Sequence, residues 1–158
     1  VLLPLVRSRV DVPIIAAGGI VDGASMAAAF ALGAEGVQMG TRMVSAAESP
    51  VHDNWKQAIV AAAETDTVLL NDRHSPALRA LRTERSARLR DAELNVMSEF
   101  ADVRALYFGG DLEASIALTG QAAGLIDAVR PVADIIAGTV GEFAATIARL
   151  SGAGAATG

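Results

Sequence analysis

Residues 12–41, VPIIAAGGIVDGASMAAAFALGAEGVQMGT, constrain the fold more than any other stretch: two apolar runs, each ending at glycine, flank one helical pattern. Residues 12–17 are apolar without polar alternation, the pattern of a parallel strand buried on both faces. Gly18-Gly19 ends that run. Asp22 can cap the helix that follows, and Met26, Ala27, Phe30 and Ala31 recur on one of its faces. Gly33 can stop it in the left-handed conformation, and residues 36–40 form a second buried strand closing on Thr41. Strand–helix–strand crossovers are right-handed, so both glycine turns emerge on the same face of the sheet.

Glycine after two neighbouring parallel strands has a chemical use. Backbone N–H groups can approach an anion closely where no Cβ intervenes. The helix N-termini that follow are expected to add partial positive charge. Either turn alone could be only a tight turn; two of them one crossover apart favour a phosphate cradle. In barrels of eight β/α units, the loops after strands seven and eight commonly form such a site.

PIIAAGGI followed by ALGAEGVQMGTRM resembles the C-terminal flavin-phosphate region of the nitronate monooxygenase (2-nitropropane dioxygenase) family. Glu48-Ser49, Trp55-Lys56 and the run GQAAGLI at 120–126 carry the likeness further, to about Arg149. The family's enzymes are FMN-dependent TIM barrels, related to the flavin-dependent enoyl-ACP reductases. The resemblance implies an α/β fold: the C-terminal portion of a (β/α)8 barrel, strands seven and eight with their helices, plus a helical C-terminal extension. It implies residues 1–64 as the last barrel units, 65–150 as a mostly helical extension and 151–158 as a disordered tail. Carried over residue by residue, it gives Gly18 and Gly19 to the first phosphate turn. Gln38, Met39, Gly40 and the Thr41 hydroxyl go to the second. Gln121 matches the family's C-terminal motif without an assigned role.

Composition bounds the partners. The 158 residues are 52% hydrophobic, with a net charge of −5. That acidity removes the electrostatic case for nucleic acid or an anionic membrane. Cysteine is absent, which excludes disulfides and thiolate nucleophiles and fits a cytoplasmic protein. Arg7, Arg9 and Asp11 interrupt the opening, so no signal peptide or apolar span is read there.

The remaining chain reads mainly as helix. Residues 2–10 have helical spacing and, by resemblance, form the sixth barrel helix, with about half of the enzyme expected before it. Residues 51–64 form the eighth, with Trp55, Ile59, Val60 and Ala63 inward and Lys56 solvated. Residues 65–70 suit a short extra strand. From 77 to 94, Arg79, Arg82, Arg85, Arg88 and Arg90 interleave with Glu84, Asp91 and Glu93, the pattern of a solvated, salt-bridged helix face. Residues 96–108 continue as helix. Gly120 and Gly124 permit close backbone approach, suiting a helix laid across the barrel mouth. A final helix over 132–150 should turn Ile135, Ile136, Val140, Phe143, Ile147 and Leu150 inward.

No catalytic residue can be named. In the family, a His in a glycine-rich loop before the sixth helix handles the substrate proton, and neither His52 nor His74 matches that motif. No Ser/His/Asp set, carboxylate pair or metal spacing stands out. The expectation is therefore a chain with the FMN-phosphate grip but not the acid–base half, inactive alone. Its family substrate is a small alkyl nitronate, and it is prone to self-association through an exposed sheet edge. The alternatives are an enoyl-ACP reductase-like fragment, an enzyme half completed by a separate chain, and a non-catalytic flavin-binding module.

Overall fold

A computed structural model describes residues 2–92 and 94–155, with side chains as far as residue 152. They form two compact units. One holds the residues up to Gly40 together with those from Pro131 on; the other is Thr41–Arg130. This division departs from the expected boundary at residue 64. It follows the long C-terminal helix, which returns to the first strand–helix–strand element.

In the first unit, α1 (Leu2–Arg7) precedes β1 (Ile15–Ala17), α2 (Gly23–Ala31) and β2 (Gly36–Gln38). The strands pair in parallel, with Ile15 opposite Gly36, Ala16 opposite Val37 and Ala17 opposite Gln38. Ala16 and Val37 face a small apolar core of Ile20, Ala29 and Ala34, joined by Leu3, Met26 and Met39. The opposite face is bare: Ile15 is 66% exposed, and Ala17 and Gln38 are exposed too. Burial on both faces, expected for residues 12–17, is therefore not observed. Only the face covered by helices is shielded, and Ala16 and Val37 on it are half-buried.

Helix α2 forms where the sequence says it should. Asp22 caps it by accepting the Ser25 N–H at 2.7 Å, and the Ser25 hydroxyl completes a capping box. Gly33, at φ +103°, ends the turn beyond it, as expected. The last element, α7 (Val132–Ala155), packs along α2. Gly23 makes this possible: a Cβ there would lie 2.6 Å from the Glu142 carbonyl carbon, and closer to Phe143 N and Thr139 O. Phe30 and Phe143 meet edge to face at 5.1 Å.

Two expectations for this helix need correction. Ile135 and Thr139 are buried and Phe143 is half-buried, but Ile136, Val140, Ile147 and Leu150 are exposed, Val140 by 55%. The sequence is apolar around most of the helix, so period alone picked too wide a face. Residues 151–155, expected as disordered tail, continue the helix; 156–158 lie outside the described residues.

In the second unit, α3 (Thr41–Val44), α4 (Asp53–Ala61), β3 (Thr67–Leu70), β4 (Leu78–Leu81), α5 (Glu84–Arg90) and α6 (Val103–Gly109) follow in order. Short 3₁₀ turns occupy Val96–Glu99 and Gln121–Leu125. Strands β3 and β4 form an antiparallel hairpin, Thr67 opposite Leu81. The hairpin replaces the first part of the helix expected over 77–94. Leu78, Ala80 and Leu81 are drawn into the core with Val68 and Leu70, while Arg79 reaches across to the Thr67 hydroxyl at 3.2 Å. Thr83 then restarts the chain as helix through a second capping box with Ser86. Of the charges placed on that helix, Glu93 lies outside the described residues.

Helix α4 buries Trp55 and Ile59, as its stripe predicts, and Tyr107 stacks edge-on against Trp55 at 4.9 Å. Val60 is half-buried and Ala63 exposed. Lys56, expected in solvent, is only 5% exposed. Its Nζ donates to Ala47 O at 3.2 Å and pairs with Asp53, so its charge is matched where it is buried. Gly124 is a close-approach glycine as expected; a Cβ would sit 2.6 Å from the Glu64 backbone.

Candidate functional site

The first unit brings five of the six sequence-derived site residues to one end of its small sheet. In the parallel register, Ala17 lies beside Gln38, the last residues of β1 and β2. Gly18-Gly19 therefore leaves the sheet level with Met39-Gly40. Gly18 and Gly19 take φ values of +102° and +73°. Those values favour glycine strongly, because an L side chain there is strained. A Cβ built on Gly18, Gly19 or Gly40 would meet nothing within 4 Å. Gly18, Gly19, Gln38 and Gly40 are exposed, and Met39 is half-buried against the apolar core.

At the start of α2, several backbone donors are already engaged by the protein's own groups. The Gly23 N–H donates to Glu142 Oε2 at 2.9 Å, and the Ser25 N–H to Asp22. Val21 and Asp22 both donate their N–H groups to the Ser25 hydroxyl at 3.2 Å. Protein acids thus already complement the positive end of this helix.

Thr41, the sixth residue, opens α3 in the second unit. Its Oγ1 accepts the Gly120 N–H at 2.9 Å, which leaves the hydroxyl hydrogen free to donate elsewhere. Beside it, Arg42 is buried to 6% exposure, and its Nη2 donates to Ala128 O at 2.9 Å. Burial, and next the neighbouring Arg130, push the Arg42 pKa below its ordinary value, while Asp127 opposes them. Sequence reasoning passed over Arg42. Its position after a Gly-Thr turn at a helix start was the available signal. Gln121 begins the 3₁₀ turn and is exposed.

The histidines do not join this constellation. His52 caps α4, its Nδ1 accepting the Asn54 N–H at 3.1 Å, and His74 is exposed in the β3–β4 loop. Among the described residues, no group of three or more His, Asp or Glu could hold a metal ion. None of the described helices is long and apolar enough to cross a membrane.

A family model described as nitronate monooxygenase matches residues 1–142, nine-tenths of the chain and both glycine turns. The chain belongs to the nitronate monooxygenase family. A probable nitronate monooxygenase of Staphylococcus saprophyticus is 46% identical over 70 residues, which cover 44% of this chain and 20% of that protein. Among solved structures, FabK from Thermotoga maritima is 44% identical with a TM-score of 0.90, covering 96% of this chain and 50% of that one. Nitroalkane oxidase from Streptomyces ansochromogenes is 27% identical with a TM-score of 0.75, covering 94% and 44%. The chain thus spans half or less of these relatives.

Proposed function

We propose that this chain is the FMN-phosphate-binding, C-terminal part of a flavin-dependent nitronate monooxygenase barrel, with β1 and β2 as strands seven and eight. The phosphate would be held by Gly18, Gly19, Gln38, Met39, Gly40 and Thr41. One observation carries the reading: two parallel strands end side by side on glycines that leave open space in front of them. The left-handed Gly18-Gly19 pair supplies a turn in which successive N–H groups can point to one side, as anion-binding nests do. The Thr41 hydroxyl retains a hydrogen to donate.

Bound FMN would supply the electron transfer and O₂ chemistry of alkyl nitronate oxidation, and this chain's residues would anchor and orient it. No base comes from these residues, so turnover requires further polypeptide of the family. The bare face of Ile15, Ala17 and Gln38 is the one a closed barrel would turn inward. It also suits self-association of the chain on its own. Absence of cysteine is compatible with a cytoplasmic location.

The stronger likeness to FabK, in identity and in TM-score, favours a second reading as part of a flavin-dependent enoyl-ACP reductase-like oxidoreductase. Both readings share the same phosphate grip. Joined to a family N-terminal half, the first predicts O₂-dependent nitronate oxidation and the second reduction of an enoyl thioester.

Gly40→Ala tests the grip. Gly40 lies outside the left-handed region and has an open surround, so alanine is accommodated without strain. FMN affinity should fall roughly ten- to a hundredfold, the value of one or more hydrogen bonds to a charged group. Riboflavin, which lacks the phosphate, should bind the variant and the parent alike. Equal FMN affinity in a folded Gly40→Ala protein would show that Gly40 serves only as a turn residue.

A further inference from the structure

Arg42 is the buried charge that the proposed grip leaves without a role. It sits next to Thr41 in a four-residue helix too short to hold itself in place. Three links tie this segment to residues 127–130 within the second unit. Arg42 Nη2 donates to Ala128 O at 2.9 Å. Ala47 N–H donates to Arg130 O at 2.9 Å, and Ala46 makes a parallel bridge with Arg130. Arg130 is itself held by both oxygens of Asp127, at 2.9 and 3.0 Å. At the other end, Thr41 Oγ1 is fixed by the Gly120 N–H. A guanidinium is costly to bury beside a second one, so its placement calls for a return in specificity or geometry.

We infer that Arg42 is a positioning residue, clamping α3 to the 127–130 segment so that the Thr41 hydroxyl is presented in a fixed direction to a phosphate. Arg42 itself does not touch the ligand in this scheme. Its fork reaches a backbone carbonyl, and Asp127 balances the local charge. Lysine would keep the charge but lose the planar fork, so it should not substitute fully. The inference rests on the phosphate reading proposed above and names a new residue for it.

The test is titration of the whole chain with FMN and with riboflavin, for the parent, Arg42→Met and Arg42→Lys. The readout is the ratio of riboflavin to FMN dissociation constants. A general loosening of the fold weakens both ligands and leaves the ratio unchanged; loss of an oriented phosphate donor lowers it. The expected result is a parent ratio well above one that falls about tenfold in Arg42→Met and partly in Arg42→Lys. Thr41→Val should lower it equally, and Arg42→Met should add nothing to Thr41→Val. If Arg42→Met does not fold, Arg42→Lys and the Thr41→Val comparison decide. A parent that does not distinguish FMN from riboflavin overturns the phosphate reading, and this inference with it. A parent that does, with the ratio retained in Arg42→Lys and in any folded Arg42→Met, overturns the role of Arg42 alone.

Discussion

Replacing Gly23 by alanine should destabilise the first unit more than any other single added methyl group in it. The substitution would normally help, since alanine is favoured over glycine in a helix by up to about 1 kcal/mol. Here the new Cβ would stand 2.6 Å from the Glu142 carbonyl carbon and closer to Phe143 N and Thr139 O, all of them backbone atoms of α7. Ordinary contact needs about 3.5 Å, so α2 and α7 must separate by roughly 1 Å. Backbone cannot rotate away as a flexible side chain can. Overpacking of this kind costs about 1–3 kcal/mol. Stretching the hydrogen bond from Gly23 N–H to Glu142, now 2.9 Å, adds a comparable loss. The net expectation is a loss of about 2–4 kcal/mol, or a melting temperature lowered by roughly 5–15 °C. Circular dichroism melts measure it, and hydrogen exchange localises it to α2 and α7. Gly138→Ala and Gly141→Ala are the matched controls, because a Cβ at either meets nothing within 4 Å. They should be neutral or stabilising by about 0.5–1 kcal/mol. Equal stability of Gly23→Ala and the parent would refute the close crossing of the two helices.

Other outcomes follow from particular contacts. Gly124→Ala places a methyl 2.6 Å from the Glu64 backbone and should lower the stability of the second unit by about 1–3 kcal/mol, read by Trp55 fluorescence during urea unfolding. Asp22→Ala removes the capping box of α2 and should cost about 1 kcal/mol in a thermal melt. Ile15→Glu, on the exposed face of β1, should leave secondary structure unchanged while reducing self-association in sedimentation velocity; an unchanged distribution would place any association elsewhere. On the proposed reading, residues 1–158 with FMN added should oxidise nitronate no faster than free FMN, since a positioned general base contributes about 10²- to 10⁴-fold.

The parts of the fold legible in sequence were those with local chemistry. Asp22 and Gly33 mark the ends of α2 because capping and left-handed termination depend on neighbouring residues only. The glycine turns were found for the same reason. Strand β3 was legible in the β-branched run at 65–70, but its partner β4 was not, because Arg79, Arg82, Arg85 and Arg88 recur every three residues and imitate a helix across two elements. The signal was there in the Thr83–Ser86 capping box, which announces a helix starting afresh after residue 83. Lys56 and the uncovered half of α7 were illegible for another reason. Whether a lysine finds Ala47 O and Asp53, or Val140 finds no cover, depends on chain remote in sequence.

The first unit is discontinuous along the chain, its two pieces separated by the whole of Thr41–Arg130. During synthesis the second unit is therefore finished before the first can close. Until α7 leaves the ribosome, Gly23 and Phe30 lack their partner helix, and β1 and β2 rest on α1 and α2 alone. The entropy of closing so long a loop grows only slowly with its length, but the search it imposes makes late contacts the slow ones. The order of assembly is thus written into the topology: the inserted unit folds first and shortens the effective loop that α7 must close. A polypeptide ended at Arg130 should keep a second unit that resists protease while residues up to Gly40 become cleavable.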